Sequence, residues 1–343
     1  MAYSTIDKAS SYVSNFIYDG DGAARSFTDP GFLVDMNWTK RRDTTGNHVL
    51  SSSVSGTGKN MYPDLSDAEA TDAQGITSYD ANGYSTGTSS NWNGTGGTYV
   101  SYNWKGGTTT GVDFSAGDIT PSSYSINTTA GFGVYKFAGT NAAATMAHGL
   151  GATPDMIIIK ESSESSGWAM YHIAVGNTKA LVLNTTAAAD TSTLYWNDTS
   201  PTSTLFSMST YTNTTATSIM AYVFAGKKGF SRFGKFTGTG VNPGPFIYTG
   251  FKPHFFLAKM ITDAGYSATL RGDAINTYGN ISGKHIIPDT NAAAGDGKNI
   301  NILSNGVQVV TTDGGVNLSA KQYIYCAWGQ TTSASNNVIA TAK

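Results

Sequence analysis

The sequence predicts an all-β protein made of three tandem, diverged antiparallel β-sandwich domains of about 100 residues each, jelly-roll-like in pattern. Three observations carry this prediction. Helix-forming residues are scarce, with 12 Leu, 4 Gln and 3 Glu among 343 residues. β-Branched and aromatic residues are abundant, with 46 Thr, 19 Tyr and 15 Phe, a composition typical of strands. The chain also repeats itself at spacings of about 100 to 120 residues.

The repeat is clearest around a glycine-to-lysine stretch. GFLVDMNWTK begins at Gly31 and aligns without a gap at an offset of 120 with GATPDMIIIK, which begins at Gly151; a further offset of 99 leads to Gly250 in GFKPHFFLAK. Each copy ends in an aromatic strand, near Trp104, Phe224 and Trp328. The alternation of side chains in these strands indicates one buried and one solvated face.

Turn-forming residues separate the predicted strands within the copies. Each glycine anchor is preceded by a short aromatic strand that runs into glycine, as in FIYDGDG, VYKFAGT and GKFTGTG. The steps Asn82-Gly83 and Asn305-Gly306 predict hairpins in the first and third copies, whereas the second copy has PTSTLFSMS there. The predicted organisation is an N-terminal arm (1–15), sandwich repeats at 16–107, 131–229 and 230–330, a linker (108–130) and a C-terminal tail (331–343).

Composition also limits the classes of partner that we expect. The formal net charge is −2 and charged residues make up 13% of the chain, which argues against a nucleic-acid partner. No apolar stretch long enough for a signal sequence or a membrane span is visible, so we expect synthesis in the cytoplasm and no membrane insertion. Cys326, the single cysteine, lies in YIYCAWG and is expected to be a small buried side chain.

Residue types that carry chemistry are sparse. The acidic run Asp64, Asp67, Glu69 and Asp72 is interpreted as a solvated loop, since the other copies lose most of its charge. The five histidines are too scattered for a zinc site, and the glycine-rich turns match no nucleotide fingerprint. We therefore predict no catalytic residue, no metal and no cofactor. Trp92 in SSNWNGTGG and Trp196 in LYWNDTS are the candidate surface aromatics for binding, although either ring could instead close the end of a sandwich core.

Several motifs, in order along the chain, carry a family resemblance: YSTIDKASSYVSNFIYDGDG, DMNWTKRRDTTGNHVLSSSVSGTGK, LSDAEATDAQGITSYDANGY, TYVSYNWKGG and HGLGATPDMIIIK with SGWAMYH. The sequence resembles tail-fibre or virion structural proteins of marine bacteriophages that are built from tandem copies of a β-rich domain. The first copy departs from the others with Val34 in place of Pro154 and Pro253. No catalytic residue is implied by the resemblance.

The resemblance implies a virion component assembled in the host cytoplasm. We expect a short tail fibre or tip that contributes to attachment, with a host-surface glycan or protein as ligand. An architectural head or tail decoration protein is the main alternative, and a polysaccharide depolymerase the weaker one. Partners would be other copies of the chain, with a homotrimer favoured, and other virion proteins contacted through the N-terminal region.

Overall fold

A computed structural model describes residues 4–275 and 281–330. In these residues the protein is all-β, and every strand pairs with its neighbours in antiparallel fashion. Helical structure in this part of the chain is confined to a 3-10 turn at Ala9–Ser11 and to three single-turn helices: Ser90–Asn93 (α1), Thr193–Trp196 (α2) and Gly314–Asn317 (α3). The all-β prediction is confirmed.

We refer to residues 13–104 as segment 1. Its strands are β1 (Val13–Asp19), β2 (Arg25–Phe27), β3 (Met36–Arg41), β4 (Val49–Ser52), β5 (Lys59–Asn60), β6 (Ala70–Thr71), β7 (Ile76–Asp80), β8 (Gly83–Thr86) and β9 (Thr98–Trp104). They form a large sheet of order β1-β9-β3-β4, a smaller sheet of order β2-β8-β7 and the pair β5-β6.

Segment 2 comprises residues 123–224. Its strands are β10 (Ser123–Asn127), β11 (Phe132–Phe137), β12 (Ala144–Ala147), β13 (Met156–Glu161), β14 (Ala169–His172), β15 (Lys179–Val182), β16 (Asp190–Thr191), β17 (Leu205–Met208) and β18 (Ile219–Phe224). The large sheet has the order β10-β11-β18-β13-β14-β15-β16, and β12 pairs with β17.

Segment 3 comprises residues 231–330. Its strands are β19 (Ser231–Thr237), β20 (Phe246–Tyr248), β21 (Lys252–Met260), β22 (Thr269–Gly272), β23 (Ile281–Ser282), β24 (Ile300–Leu303), β25 (Gly306–Val309) and β26 (Gln322–Gln330). They form sheets of order β19-β26-β21-β22 and β20-β25-β24-β23. In all three segments the closing strand (β9, β18 or β26) thus lies between an opening strand and the strand that carries the glycine-to-lysine motif.

The two predicted hairpins are confirmed. Strand β7 turns into β8 with Asp80 opposite Gly83, and β24 turns into β25 with Leu303 opposite Gly306. A Cβ atom on Gly83 would lie 1.8 Å from the Phe27 carbonyl oxygen, and one on Gly306 would lie 2.3 Å from that of Ile247. Glycine is therefore required because the neighbouring edge strand approaches closely.

One apolar core joins all three segments. The rings of Trp104, Phe224 and Trp328, each near the end of a closing strand, meet at centroid distances of 5.2 to 6.5 Å, and side chains from all three large sheets surround them. The cavity left at this centre is about 20 Å³ and is lined only by apolar and sulfur-containing side chains. A dry space of this size, near the volume of one water molecule, is a packing defect and no ligand site.

Loops close the segments into a ring. Trp168 of segment 2 donates from Nε1 to the Tyr62 carbonyl oxygen at 3.0 Å. The Thr186 carbonyl oxygen of segment 2 accepts from the backbone of Gly265 in segment 3 at 3.0 Å, and the Asn291 carbonyl oxygen of segment 3 accepts from Gly46 of segment 1 at 2.8 Å. Each segment therefore contacts the next, and the third contacts the first.

The structure corrects the extent of the predicted connecting regions. Within 108–130, residues 123–127 form strand β10, Phe114 is buried, and Ile119 pairs with Met146 of β12. Within 1–15, the side chains of Ile6 and Ala9 lie in the shared core, so residues 4–15 are packed against the chain and do not form a free arm. Residues 1–3 and the predicted tail, 331–343, lie outside the described residues.

Candidate binding surface

Trp92 and Trp196, the predicted surface aromatics, are buried, with 0% and 1% of their surface exposed. Each lies on a single-turn helix. Trp92 packs edge-on against Tyr84, and Trp196 packs edge-on against Tyr171. A helix turns its side chains by about 100° per residue, so polar neighbours can face solvent while the indole points inward. Their proposed role as exposed binding residues is therefore wrong.

One exposed aromatic side chain, Tyr211, packs against Tyr195, the neighbour of Trp196 in the chain. A groove of about 560 Å³ opens between segment 2 and a loop of segment 1, and the tyrosines Tyr195 and Tyr211 line one side of it. Their ring centroids are 4.5 Å apart. Tyr195 is 7% exposed and Tyr211 is 42% exposed. We call this the Tyr211 groove. Its other described lining residues are Ser66, Gly167, Val182, Asn184, Thr185, Ala187, Ala188, Ala189 and Asp190.

Backbone hydrogen bonds hold the two tyrosines in place. The Tyr211 backbone N–H donates to the Leu194 carbonyl oxygen at 2.9 Å. The Thr212 hydroxyl donates to the Tyr195 carbonyl oxygen at 2.6 Å, and Ser192 caps the start of α2 by accepting from the Leu194 N–H. The backbone of both tyrosines is therefore held by hydrogen bonds, even though Tyr211 lies at the surface.

The electrostatics of the groove are simple. Asp190 is its acidic residue, and no lysine or arginine occurs in the described lining. The pKa of Tyr195 is raised to about 12, mainly by burial and to a smaller extent by the nearby Tyr211 and Asp190. The groove thus offers apolar ring surface and a carboxylate acceptor.

Three buried lysines occupy equivalent strand positions in the three segments. Lys40, Lys160 and Lys259 are each 0% exposed, and burial lowers the pKa of each to about 8. The Lys160 ammonium donates to the Ser66, Glu161 and Glu164 carbonyl oxygens and to the Ser166 hydroxyl at 2.6 to 3.3 Å. The Lys259 ammonium donates to the Thr185 carbonyl oxygen at 2.5 Å. Lys160 and Lys259 thus attach a loop of a neighbouring segment to their own strand, whereas the Lys40 ammonium donates to the carbonyl oxygen of the next residue, Arg41. None of the three faces an open site.

The acidic run is less solvated than predicted. Asp64 is 8% exposed and accepts a hydrogen bond from the His48 backbone N–H at 3.0 Å, and burial raises the pKa of its carboxyl to about 6. Burial lowers the pKa of His48 to about 3. Throughout 4–275 and 281–330, no group of three or more His, Cys, Asp or Glu side chains is placed to bind a metal ion.

A partly buried imidazole–carboxylate pair of segment 3 lies against segment 1. His254 Nδ1 and Asp273 Oδ2 are 2.5 Å apart. Asn15 of segment 1 donates from Nδ2 to the His254 carbonyl oxygen at 2.6 Å and to Asp273 Oδ1 at 3.0 Å. In the described residues no hydroxyl or thiol hydrogen-bonds to the imidazole. The observed contacts make the pair a link between the segments.

Sequence reasoning missed three buried asparagines, Asn93, Asn213 and Asn317, each 0% exposed. Each amide clamps the turn after its segment's opening strand; Asn213, for example, donates to the Ala142 carbonyl oxygen at 2.7 Å and accepts from the Thr140 N–H at 3.0 Å. Their separations, 120 and 104 residues, equal those of the closing aromatics. Extending the repeat alignment would have found them.

A family model titled Domain of unknown function (DUF7483) matches residues 8–331. The chain belongs to the DUF7483 family. The match begins at the 3-10 turn and extends past the last strand, so this DUF7483 domain includes all three large sheets and the Tyr211 groove. Comparison with curated proteins and with solved structures found no match. No helix in the described part of this DUF7483 protein is long and apolar enough to cross a membrane.

Proposed function

We propose that this protein is a bacteriophage virion structural protein, a short tail fibre or tip that contributes to host-surface attachment. The observation that carries the proposal is the closure of three sheets around one core, with an exposed tyrosine held on the outside of that frame. Such an arrangement suits display of a binding surface better than substrate turnover. The sequence resemblance to marine phage virion proteins supports the same assignment, and we propose no catalytic role.

We further propose that the three segments are diverged copies of one antiparallel β-sandwich unit. The shared position of the closing strand in each large sheet supports this, as do the repeated buried residues Lys40, Lys160 and Lys259. The common core implies that the copies are joined as a ring and not as beads on a string. Protection of amides by hydrogen exchange tests this: copies in one cooperative ring should open together, and an independently opening copy would contradict it.

The proposed partners are further copies of the chain, favoured as a homotrimer, and other virion proteins. Light scattering after gel filtration should give three times the 36.0 kDa chain mass. A single-chain mass in the purified protein and in detergent-released virion material would rule out the trimer. Neither nucleic acid nor a membrane is a proposed partner.

Locating the protein on the particle tests the function. A gold-labelled antibody against the purified chain should decorate the distal end of the tail of intact virions. Label spread over the head shell would instead support the decoration role, and absence of the chain from purified particles would refute both. Incubation of the protein with host polysaccharide should leave its viscosity unchanged, because a fall in viscosity would indicate a depolymerase.

A further inference from the structure

We propose that the Tyr211 groove binds a neutral saccharide, with the Tyr211 ring as stacking surface and Asp190 as hydrogen-bond acceptor. This inference rests on the proposed attachment function and specifies its ligand. A volume of about 560 Å³ lies within the range of small-ligand sites.

The aromatic wall provides the first requirement of a saccharide site. Sugar rings present C–H groups on one face, and these pack on the flat apolar face of an aromatic ring. Tyr211 is 42% exposed, while Tyr195 supports it from behind at 4.5 Å between ring centroids. Because the backbone of Tyr211 is fixed to α2, little ordering of the wall is needed when a ligand binds.

Polar groups provide the second requirement. The Ser66 hydroxyl already accepts from the Asn184 amide at 3.1 Å, which leaves its own proton to donate to a ligand. The Asp190 carboxylate makes no hydrogen bond or ion pair that the structure shows to other described residues and can accept from two sugar hydroxyls. Donors and acceptors thus face the same space as the rings.

Charge selects the class of saccharide. The described lining contains one carboxylate and no cationic side chain, so a uronic acid, sialic acid or phosphorylated sugar would meet an unpaired negative charge. A neutral saccharide meets no such repulsion. Ala187, Ala188 and Ala189 also line the groove, and their small side chains take up little of its volume.

Glycan-array binding of the purified full-length protein tests the proposal. We expect binding to neutral glycans and at least fivefold weaker signals for acidic ones. On the best neutral glycan, Tyr211→Ala should reduce affinity by roughly tenfold, and Tyr211→Phe should retain most of it. Asp190→Asn should raise the ratio of acidic to neutral binding, a change that a purely structural role would not produce. Tyr248→Ala, which removes a tyrosine 46% exposed on segment 3, is the matched control and should bind as the wild type does.

Three results would overturn the proposal: no binding to any glycan on the array, equal binding of acidic and neutral glycans, or wild-type affinity in Tyr211→Ala. If circular dichroism shows that Tyr211→Ala does not fold, the glycan binding of Tyr211→Phe and Asp190→Asn tests the proposal in its place. A negative array with distal antibody labelling of virions would remove the saccharide site and leave the attachment function standing. Binding of a neutral saccharide by a protein that is absent from virions would support the saccharide site and refute the virion function.

Discussion

The centre of the molecule and the junctions around it hold the same three segments together by different means. At the centre, Trp104, Phe224 and Trp328 contact one another with no charged group between them. At the junctions, buried lysines donate to loop carbonyl oxygens, as Lys160 does to Ser66. Apolar contact at the centre is non-directional, whereas the ammonium groups need acceptors at particular positions.

The centre and the junctions therefore contribute to the structure in two different ways. The centre supplies most of the free energy that joins the segments, because it removes large aromatic surfaces from water. The junctions fix which loop lies against which strand, since a buried ammonium without acceptors is costly. Two substitutions, a pH titration and a labelling experiment test this division.

The largest effect is expected at the centre. Trp328→Ala should lower the free energy of unfolding by about 3–5 kcal/mol, because it leaves a cavity against its four aromatic neighbours, Trp104, Phe224, Phe233 and Phe255. Urea denaturation followed by circular dichroism measures this. Trp328→Phe, the matched control, should cost clearly less. Equal costs for the two variants would show that volume at the centre matters little.

The junction effect should be intermediate. Lys160→Ala should lower the free energy of unfolding by about 2–3 kcal/mol, because buried carbonyl oxygens lose their donor. Lys179→Ala, at an exposed strand position of the same segment, should change it by less than about 0.5 kcal/mol. A cost for Lys160→Ala no greater than that of Lys179→Ala would mean that the junction lysines do not order the loops.

The three buried lysines should also make stability depend on pH. Their pKa is about 8 when folded and about 10.4 when unfolded, so the unfolded chain binds more protons between these values and unfolding free energy rises with pH. We expect a gain of about 1 kcal/mol for each lysine, roughly 3 kcal/mol for the three together, between pH 7.5 and 9. Burial raises the pKa of Cys326, which opposes the gain above about pH 9.

Urea titrations at several pH values measure this gain. Lys160→Met should reduce it by roughly a third, because one of three equivalent groups is lost, and Lys179→Met should leave it unchanged. A flat or falling profile from pH 7.5 to 9 in the wild type would contradict the assignment of three depressed lysines.

The smallest effect concerns access to the centre. The Cys326 thiol is 1% exposed and lies 3.3 Å from the Met156 sulfur, so a thiol reagent should label the native protein only as fast as it opens. Labelling at several reagent concentrations should reach a plateau rate, and Lys160→Ala should raise it. Rapid labelling of the native wild type would show that the centre is open.

Much of the fold followed from sequence pattern. The burial of Cys326 and the hairpins at Gly83 and Gly306 are confirmed. The prediction that Trp92 and Trp196 are exposed was wrong, because local composition describes the neighbours of a residue and not the direction of its side chain. Tyr211, which lies in MSTYTNTT, carried no signal that separated it from many other tyrosines in polar stretches.

The sequence alone determined the all-β class and the repeat spacing, because β-branched content and offsets of 120 and about 100 are properties of the chain order. It marked Lys40, Lys160 and Lys259 as repeated without showing that they are buried. Only the tertiary structure decided that the three segments share one core and that a groove forms between a loop of the first and the second. Burial and groove shape depend on contacts between residues about 100 positions apart, and local pattern does not encode those.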